Sequence, residues 1–190
     1  MPGLQSDSVS EHRPLFLDRD GVLNRDLKPY IRTADELELF PWTIDALHLL
    51  ADAGFDFYVV SNQQGVGKGF ISTMELEKQT HKIEGLLAGR GLAIRRFYYC
   101  TAMDEENHPW RKPNPGMIEA AREEFGIDPS GAFLIGDRWS DIEAGAQAGC
   151  RPLLVLSGGT DLGEWEEWRH KPEMVFPTLL EAAEWIVGVA

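Results

Sequence analysis

The stretch Pro14-Leu-Phe-Leu-Asp-Arg-Asp-Gly21 joins a compact apolar run to two acidic residues and a glycine. A short apolar run without polar interruption predicts a strand that is buried on both faces. Asp18 and Asp20 follow this run directly and are separated by one residue. Because side chains alternate along an extended chain, we expect both carboxylates to leave on the same side and to converge. The stretch therefore predicts a buried strand that delivers two acids to one edge of a sheet.

Apolar runs then alternate with segments of helical periodicity along the rest of the chain. The sequence predicts helices at 42–53, 73–88, 115–125, 141–148 and 179–187, and strands at 55–60, 96–100, 132–136 and 153–156. Such alternation is typical of parallel strands joined by crossover helices, so we predict a three-layer α/β/α, Rossmann-like fold with a parallel sheet. Ligands of such sheets bind outside the carboxyl ends of the strands. Functional residues are therefore expected directly after the predicted strands.

The size and composition of the chain indicate a globular domain that needs no disulfide to fold. The sequence has 190 residues, of which 43% are hydrophobic and 26% charged, close to the globular average. A chain of this length buries enough surface for a core of its own. We assign residues 1–13 to a flexible N-terminal tail and residues 14–190 to a single domain. Cys100 and Cys150 are the only cysteines, and we expect both to be buried thiols.

The charge balance and the apolar pattern argue against several partners. The 18 basic and 31 acidic residues give a net charge of −13, which opposes binding to a nucleic-acid backbone. No apolar run is long enough to cross a bilayer, and residues 1–11 lack the basic and apolar regions of a secretory signal. We therefore expect a cytoplasmic protein with neither a nucleic-acid partner nor a membrane partner.

Acidic side chains recur where the predicted strands end. Asp18 and Asp20 follow the first strand, and Asp137 follows the strand at 132–136, with Asp141 four residues further on. Carboxylates crowded together repel one another unless a cation neutralises them, and Mg²⁺ prefers oxygen ligands. Asp18, Asp20 and Asp137 therefore predict a Mg²⁺ site. The alternative is that Asp18 and Asp141 cap turns or helices, where aspartate is common.

Two further polar elements lie close to the predicted strand ends. Ser61 follows an apolar strand, and its hydroxyl and the next backbone N–H groups can form a small anion cradle. Lys112 lies in Arg111-Lys-Pro-Asn-Pro115, whose rigid prolines hold a cation just before a helix. A plain turn at Ser61 and a solvated basic pair at Arg111 and Lys112 are the competing interpretations. Together with the acids, however, these residues supply a nucleophile, a hydroxyl, a cation and metal ligands.

Four segments, taken in chain order, resemble the four motifs of haloacid dehalogenase (HAD) superfamily phosphatases. They are Asp18-Arg-Asp-Gly-Val-Leu-Asn24, Ser61-Asn62, Lys112-Pro113 and Gly136-Asp-Arg-Trp-Ser-Asp141. The resemblance covers residues 14–156. More narrowly, Ser61-Asn-Gln-Gln-Gly65 and Arg111-Lys-Pro-Asn-Pro-Gly-Met117 are similar to the branch that contains the glycero-manno-heptose bisphosphate phosphatases and the histidinol-phosphatases.

The resemblance implies a reaction through a phosphoaspartyl intermediate. Asp18 would attack phosphorus, and Asp20 would protonate the departing alkoxide and later take a proton from the hydrolytic water. Asp18, the backbone carbonyl of Asp20 and Asp137 would hold Mg²⁺, with Asp141 orienting these ligands.

The same resemblance assigns the phosphate-binding residues. Ser61 and Lys112 would bind the oxygens of the transferred phosphoryl group. Asn62, Arg111 and Arg138 would contact the substrate.

The spacing of the motifs leaves no room for a large cap domain, so the loops at 24–31 and 99–111 are expected to select the substrate. Members of the branch commonly carry a zinc-binding loop of several cysteines and a histidine. Here only Cys100 and His108 are present, and a structural zinc normally needs four such ligands, so we expect no zinc. The loop positions of Tyr30, Gln63 and Trp110 place them near the site, either as substrate contacts or as packing residues.

The resemblance implies a Mg²⁺-dependent phosphatase that acts on a small phosphorylated sugar, foremost a heptose 1,7-bisphosphate. Histidinol phosphate or another small metabolite is an alternative substrate. A catalytically idle domain that binds a phosphorylated ligand is an alternative of a different class. The net charge disfavours a phosphatase for nucleic-acid ends. We expect a small-molecule substrate and a monomeric protein.

Overall fold

Six parallel strands form one sheet in the order β3-β2-β1-β4-β5-β6 in the computed structural model, which describes residues 13–189. The strands are β1 (Arg13–Leu17), β2 (Phe55–Asn62), β3 (Ile94–Cys100), β4 (Phe133–Gly136), β5 (Arg151–Val155) and β6 (Met174–Phe176). Each neighbouring pair is parallel, which confirms the predicted parallel sheet. The sequence did not predict β6, because three residues are too few to show a period.

Helices cover both faces of the sheet and produce the three layers that the sequence predicts. They are α1 (Thr43–Asp52), α2 (Gln64–Gly67), α3 (Thr73–Ala88), α4 (Gly116–Phe125), α5 (Trp139–Gln147) and α6 (Leu179–Val189). Leu15 and Leu17 of β1 pack in one core cluster with α1, α3 and α6, whereas Phe16 packs in a second cluster with α4 and α5. Alternate side chains of a strand point to opposite faces, so β1 feeds two cores.

The ends of the helices follow local signals in the sequence. The Ser72 side chain accepts a hydrogen bond from the backbone N–H of Glu75 at 3.1 Å, so α3 begins at the predicted residue. Gly54, two residues after the end of α1, adopts a φ of 84°, a conformation that favours glycine. Helix α5 begins two residues before its predicted start, because the Asp141 carboxylate accepts a hydrogen bond from the backbone N–H of Arg138 at 3.1 Å.

The sequence also predicts an N-terminal tail, two buried thiols and a C-terminal helix that docks on the core. The predicted tail at residues 1–13 lies outside the described residues, apart from Arg13, which begins β1. Cys100 and Cys150 are buried free thiols, as predicted. Helix α6 docks on the core as expected, and Trp185 contacts the rings of Phe133 and Phe176. Within residues 13–189, no helix combines the length and the apolar character that a membrane span requires.

Candidate active site

The carboxyl ends of β1, β2 and β4 meet at one edge of the sheet and form the base of a cavity of about 940 Å³. Asp18 follows β1, Ser61 lies near the end of β2, and Asp137 follows β4. All three are buried. The predicted site residues that line the cavity are Asp18, Asp20, Ser61, Asn62, Arg111, Lys112, Arg138 and Asp141. The structure therefore brings together residues that are more than 100 positions apart in the chain.

Three buried carboxylates form a tight cluster at the base of the cavity. Asp18, Asp137 and Asp141 each offer one oxygen, and these oxygens lie within 4.8 Å of one another. Burial raises the pKa of Asp18 to about 6, with Asp141 adding to the rise and Lys112 opposing it. Burial and the nearby Asp18 and Asp141 also hold the pKa of Asp137 well above its usual value. Lys112 beside Asp18 and Arg138, whose Nε lies 3.4 Å from Oδ2 of Asp137, offset only part of the effect of this crowding, since both pKa values stay raised.

The donor set of this cluster fits a hard divalent cation. Oδ1 of Asp137 is buried and has no hydrogen-bond partner among residues 13–189. Oδ2 of Asp137 accepts a hydrogen bond from the backbone N–H of Gly159 at 2.9 Å, which fixes the carboxylate. A Cβ at Gly158 would lie 1.9 Å from the same Oδ2, so only glycine allows this close approach. A buried, fixed carboxylate with one unpaired oxygen, beside two further carboxylates, is the oxygen environment that Mg²⁺ prefers.

The structure corrects the expectation that the carboxylates of Asp18 and Asp20 converge. The cluster contains Asp141 instead, and the Asp20 carboxylate is turned to other donors. The Arg19 guanidinium donates to it from Nε at 2.9 Å and from Nη2 at 2.8 Å. The side-chain amides of Asn24 and Gln63 donate to it at 2.8 and 2.7 Å. Burial alone would raise the pKa of Asp20, but Arg19 and the two amides hold it below its usual value.

Lys112 is the buried cation of the cluster. Its Nζ lies 2.7 Å from Oδ1 of Asp18 and 2.5 Å from Oδ1 of Asp141, and it donates to the carbonyl of Val60 at 2.6 Å. Burial alone would lower the pKa of Lys112, but Asp141 and Asp18 raise it above its ordinary value. Lys112 is therefore charged and lies directly beside the predicted nucleophile.

Asn62 and Ser61 take different positions at the end of β2. The Asn62 side chain donates to the carbonyl of Lys112 at 2.9 Å and accepts from its backbone N–H at 3.0 Å. It therefore fixes the backbone of Lys112, and its contact with substrate stays a prediction. The Ser61 hydroxyl is buried and accepts a hydrogen bond from Gln63 Nε2 at 3.0 Å, which leaves its proton available to a ligand oxygen.

Ion pairs border the open side of the cavity. Arg138 Nη2 lies 2.6 Å from Oδ2 of Asp26, and Lys28 Nζ lies 2.5 Å from the same oxygen. Arg111 pairs with Asp104 and donates to the carbonyl of Ala102 at 2.8 Å. Asp26 and Lys28 belong to the loop at 24–31 that the sequence designates as a cavity wall, but no motif singled them out. No local sequence pattern predicts that Asp26 and Arg138 lie close together, because 112 residues separate them in the chain.

The structure gives the positions of Tyr30, Gln63 and Trp110, whose roles the sequence does not decide. Tyr30 and Gln63 line the cavity. The Trp110 ring packs edge-on against Tyr98, with 5.9 Å between ring centroids, which supports a packing role. In the loop at 99–111, Cys100 Sγ lies 3.8 Å from His108 Nδ1. The expectation of no zinc stays a prediction.

Comparisons with known proteins confirm the family resemblance. Residues 109–182 match the family model for HAD-hydrolase-like proteins. The chain is 35% identical over 180 residues to a D-glycero-D-manno-heptose-1,7-bisphosphate 7-phosphatase of Chlorobaculum tepidum, which covers 88% of this chain and 90% of the relative. It is 37% identical to a D-glycero-beta-D-manno-heptose-1,7-bisphosphate 7-phosphatase of Pseudomonas aeruginosa, over 76% of this chain and 81% of the relative.

Solved structures show the same likeness in three dimensions. The crystal structure of D,D-heptose 1,7-bisphosphate phosphatase from B. bronchiseptica, complexed with magnesium and phosphate, aligns with a TM-score of 0.86. It is 29% identical and covers 94% of this chain and 99% of the relative. The corresponding enzyme from Burkholderia thailandensis aligns with a TM-score of 0.68 at 26% identity, over 92% of this chain and 98% of the relative.

Proposed function

This chain belongs to the HAD-like phosphatases, which are phosphoric monoester hydrolases, and from that premise we propose that it hydrolyses a heptose 1,7-bisphosphate. One observation carries the proposal: the Asp18 carboxylate lies at the base of the cavity, within a buried acidic cluster and 2.7 Å from the Lys112 ammonium group. A buried carboxylate beside a fixed cation, open to a cavity, is equipped to attack a phosphoryl group. The phosphate at position 7 is the one removed, in line with the names of the relatives.

The reaction proceeds in two steps. An oxygen of Asp18 forms a bond to phosphorus while the bond from phosphorus to the sugar oxygen breaks, and Asp20 gives its proton to the departing alkoxide. Asp20 then takes a proton from a water molecule that attacks the phosphoaspartate, which releases phosphate and restores Asp18. When Mg²⁺ is held by Asp18, Asp137 and the Asp20 carbonyl, it supplies positive charge that offsets repulsion between the carboxylate and the phosphate.

The described contacts of Asp20 suit the second step. Four hydrogen-bond donors keep its carboxylate ionised, and an ionised carboxylate can accept a proton from water. For the first step, Asp20 turns from Arg19 toward the substrate, which removes the donors that lower its pKa. The alternation between these two orientations gives one residue the roles of acid and base.

Lys112 and Ser61 bind the phosphoryl oxygens in this scheme. Lys112 is already charged and oriented by Asp18 and Asp141, so it needs little rearrangement when a phosphate arrives. Ser61 has a hydroxyl proton to donate, since its oxygen already accepts from Gln63. Asp141 holds Lys112 through an ion pair of 2.5 Å, and its carboxylate lies within 4.8 Å of oxygens of Asp18 and Asp137.

The open side of the cavity suits a second anionic group. Arg111 and Arg138 border it, and Arg138 shares Asp26 with Lys28. A phosphate at the far end of a bisphosphate would replace a carboxylate on these cations, and guanidinium groups bind phosphate in a bidentate manner. This arrangement supports a sugar with two phosphates over a substrate with one.

The test is phosphate release from a panel of substrates. The panel holds both anomers of the heptose 1,7-bisphosphate, a heptose monophosphate and histidinol phosphate, each with Mg²⁺ and with a chelator. We expect Mg²⁺-dependent release of one phosphate per heptose bisphosphate, with a higher kcat/KM than for the others. Preference for histidinol phosphate would move the assignment to that branch. No release from any compound would favour the idle binding domain.

Further features of the protein belong to the same proposal. A single domain at residues 14–190 acts as a monomer on a small molecule in the cytoplasm, without a nucleic-acid or membrane partner and without zinc. The net charge of −13 supports the absence of a nucleic-acid partner, and the pair of Cys100 and His108 is too small a ligand set for structural zinc. Light scattering measures the mass in solution, and elemental analysis of the purified protein measures its zinc.

A further inference from the structure

A buried arginine lies beneath the general acid and base. The side chain of Arg19 is 1% exposed and forms both hydrogen bonds of a bidentate pair with Asp20, from Nε and Nη2. Its Nη2 also donates to Oε1 of Gln63 at 3.1 Å, and its guanidinium lies 5.8 Å from the centroid of the Tyr99 ring. A planar guanidinium held at several points fixes the plane and the position of the carboxylate that it binds.

A buried glutamine holds this arginine in place. Gln79 is fully buried on α3, on the helix face that also buries Leu76 and Ile83. Its Oε1 accepts from Nη1 of Arg19 at 3.1 Å, and its Nε2 donates to the carbonyl of Ile31 at 3.0 Å. A polar side chain in an apolar face costs free energy unless its hydrogen bonds are made, and here both ends of the amide are bonded.

The two hydrogen bonds of Gln79 link three parts of the site. Through Arg19 the amide reaches the Asp20 carboxylate, and through Ile31 it reaches the loop at 24–31 that forms a wall of the cavity. Gln79 itself does not line the cavity. Any effect of Gln79 on the reaction must therefore pass through the residues that it holds.

We propose that Arg19 and Gln79 are positioning residues that return the Asp20 carboxylate to one orientation between its two proton transfers. This inference rests on the proposed function. When Asp20 turns toward the leaving oxygen, Arg19 loses two hydrogen bonds but keeps those to Gln63 and Gln79. The guanidinium thus stays in place and presents the same pair of donors when the carboxylate returns. A loose guanidinium would follow the carboxylate, and small misplacements of a catalytic group are costly.

The test compares leaving groups in the variant Gln79→Leu. An alkyl phosphate needs protonation of its leaving oxygen, whereas p-nitrophenyl phosphate has a leaving group that needs little help from an acid. We expect kcat on the alkyl phosphate to fall about tenfold with KM changed by less than about twofold, since positioning contributes a part of general acid–base catalysis. The single-turnover burst of p-nitrophenol should stay within about twofold of the wild-type rate.

Two further variants separate positioning from stability and from charge. Thr43→Val removes another fully buried side-chain donor, which bonds the Leu23 carbonyl at 2.7 Å, and should leave the ratio of the two rates unchanged. Arg19→Lys keeps the charge but loses the bidentate pair, and should lower the alkyl-phosphate rate at least as much as Gln79→Leu. The inference is overturned if Gln79→Leu lowers both rates equally, or if Arg19→Lys retains wild-type kcat.

A structural measurement keeps the inference separate from the proposed function. If the wild-type protein releases no phosphate from any substrate, the proposed function fails, and crystal structures of wild type and Gln79→Leu still decide the positioning role. We expect the Asp20 carboxylate of the variant to leave the bidentate position on Arg19. A carboxylate that stays on Arg19 with both hydrogen bonds intact would overturn the inference by itself.

Discussion

The base and the open side of the cavity use charge in opposite ways. We call the first the floor, made of Asp18, Lys112, Asp137 and Asp141, and the second the rim, made of Asp26, Lys28, Asp104, Arg111 and Arg138. The floor is buried and holds three carboxylates against one lysine, and Nε of Arg138 in the rim lies 3.4 Å from Oδ2 of Asp137. In each rim pair, one partner is open to solvent: the side chain of Asp104 is 70% exposed and that of Lys28 66%.

This difference separates what the two regions can do. Buried, unbalanced charge has no solvent to neutralise it, so we expect the floor to bind a cation and a phosphoryl group strongly and to tolerate little change. An ion pair with one solvent-exposed partner, as in the rim, contributes less to stability than a fully buried pair and can exchange that partner. We therefore expect floor substitutions to change the rate of the chemical step and rim substitutions to change the choice of substrate.

The largest effect is expected at the floor, from Asp18→Asn. The amide is a poor nucleophile, so kcat should fall by about 10⁴-fold or more while the fold is retained. Steady-state phosphate release measures the change, and circular dichroism checks the fold. The exposed Asp52→Asn, at the end of α1, is the matched control and should keep wild-type kcat. Retention of more than a small fraction of activity by Asp18→Asn would rule out a phosphoaspartyl at this position.

The next largest effect is expected from Lys112→Met. Methionine has a similar length but no charge, so the phosphoryl oxygens lose one electrostatic partner and Asp18 loses its cation. We expect kcat to fall about 100-fold, the usual scale for one group that stabilises charge in a transition state. The surface variant Lys78→Met is the control, since within the described part of the chain the ion-pair partner of Lys78 is Glu75 on α3, away from the cavity. If Lys112→Met changed KM and left kcat intact, Lys112 would act on substrate binding, as we expect of rim residues, and this prediction would be wrong.

The sequence predicts the floor better than the rim, for a physical reason. Asp18 and Asp137 follow buried strands, and the rule that parallel strands present their carboxyl ends at one edge is enough to bring them together. Arg19 and Asn24, which supply three of the four hydrogen bonds to Asp20, are close to it in the chain. The orientation of Asp20 was not predicted, because the Arg19 guanidinium is itself held by Gln63 and Gln79, which are distant in the chain. Only the folded structure shows which donors reach that carboxylate.

The same contrast applies to the fold. The limits of α3 follow from Ser72 and from periodicity over 16 residues, which are local signals. Strand β6 is only three residues long, and its place beside β5 depends on pairing that no local pattern encodes. The rim pair of Asp26 and Arg138 is of this second kind, since it joins two loops from opposite halves of the chain.

A smaller effect is expected at the rim, from Arg138→Gln. The variant loses the charge that we assign to the distal phosphate, so KM for the heptose bisphosphate should rise about tenfold, the scale of one lost charged hydrogen bond. KM for a monophosphate and kcat for both should stay nearly unchanged. Initial rates over a range of each substrate measure the difference. A tenfold fall in kcat with unchanged KM would place Arg138 with the floor and remove the distinction between the two regions.

The smallest effect concerns stability, in Asp137→Asn without metal. The folded pKa values of Asp18 and Asp137 lie above their unfolded values, so folding binds protons as pH falls. Their favourable contribution is complete below about pH 4. The Asp18 part is lost as pH rises through about 6, and the Asp137 part is lost as pH rises through the raised pKa of that carboxyl. Removing one charge should therefore raise the metal-free Tm by about 3 °C near neutral pH and leave it unchanged near pH 4.

The same electrostatic argument predicts how Mg²⁺ changes the thermal stability of the protein. A cation that binds the ionised floor stabilises the wild-type protein, and the gain should grow as pH rises through about 6, because more carboxylates are then charged. Asp137→Asn should lose most of that gain, whereas the rim control Asp104→Asn should keep it. Thermal melts at several pH values, with and without Mg²⁺, measure all three proteins. If Asp137→Asn lowered the metal-free Tm at neutral pH, the floor would not be under electrostatic stress, and its difference from the rim would be one of position alone.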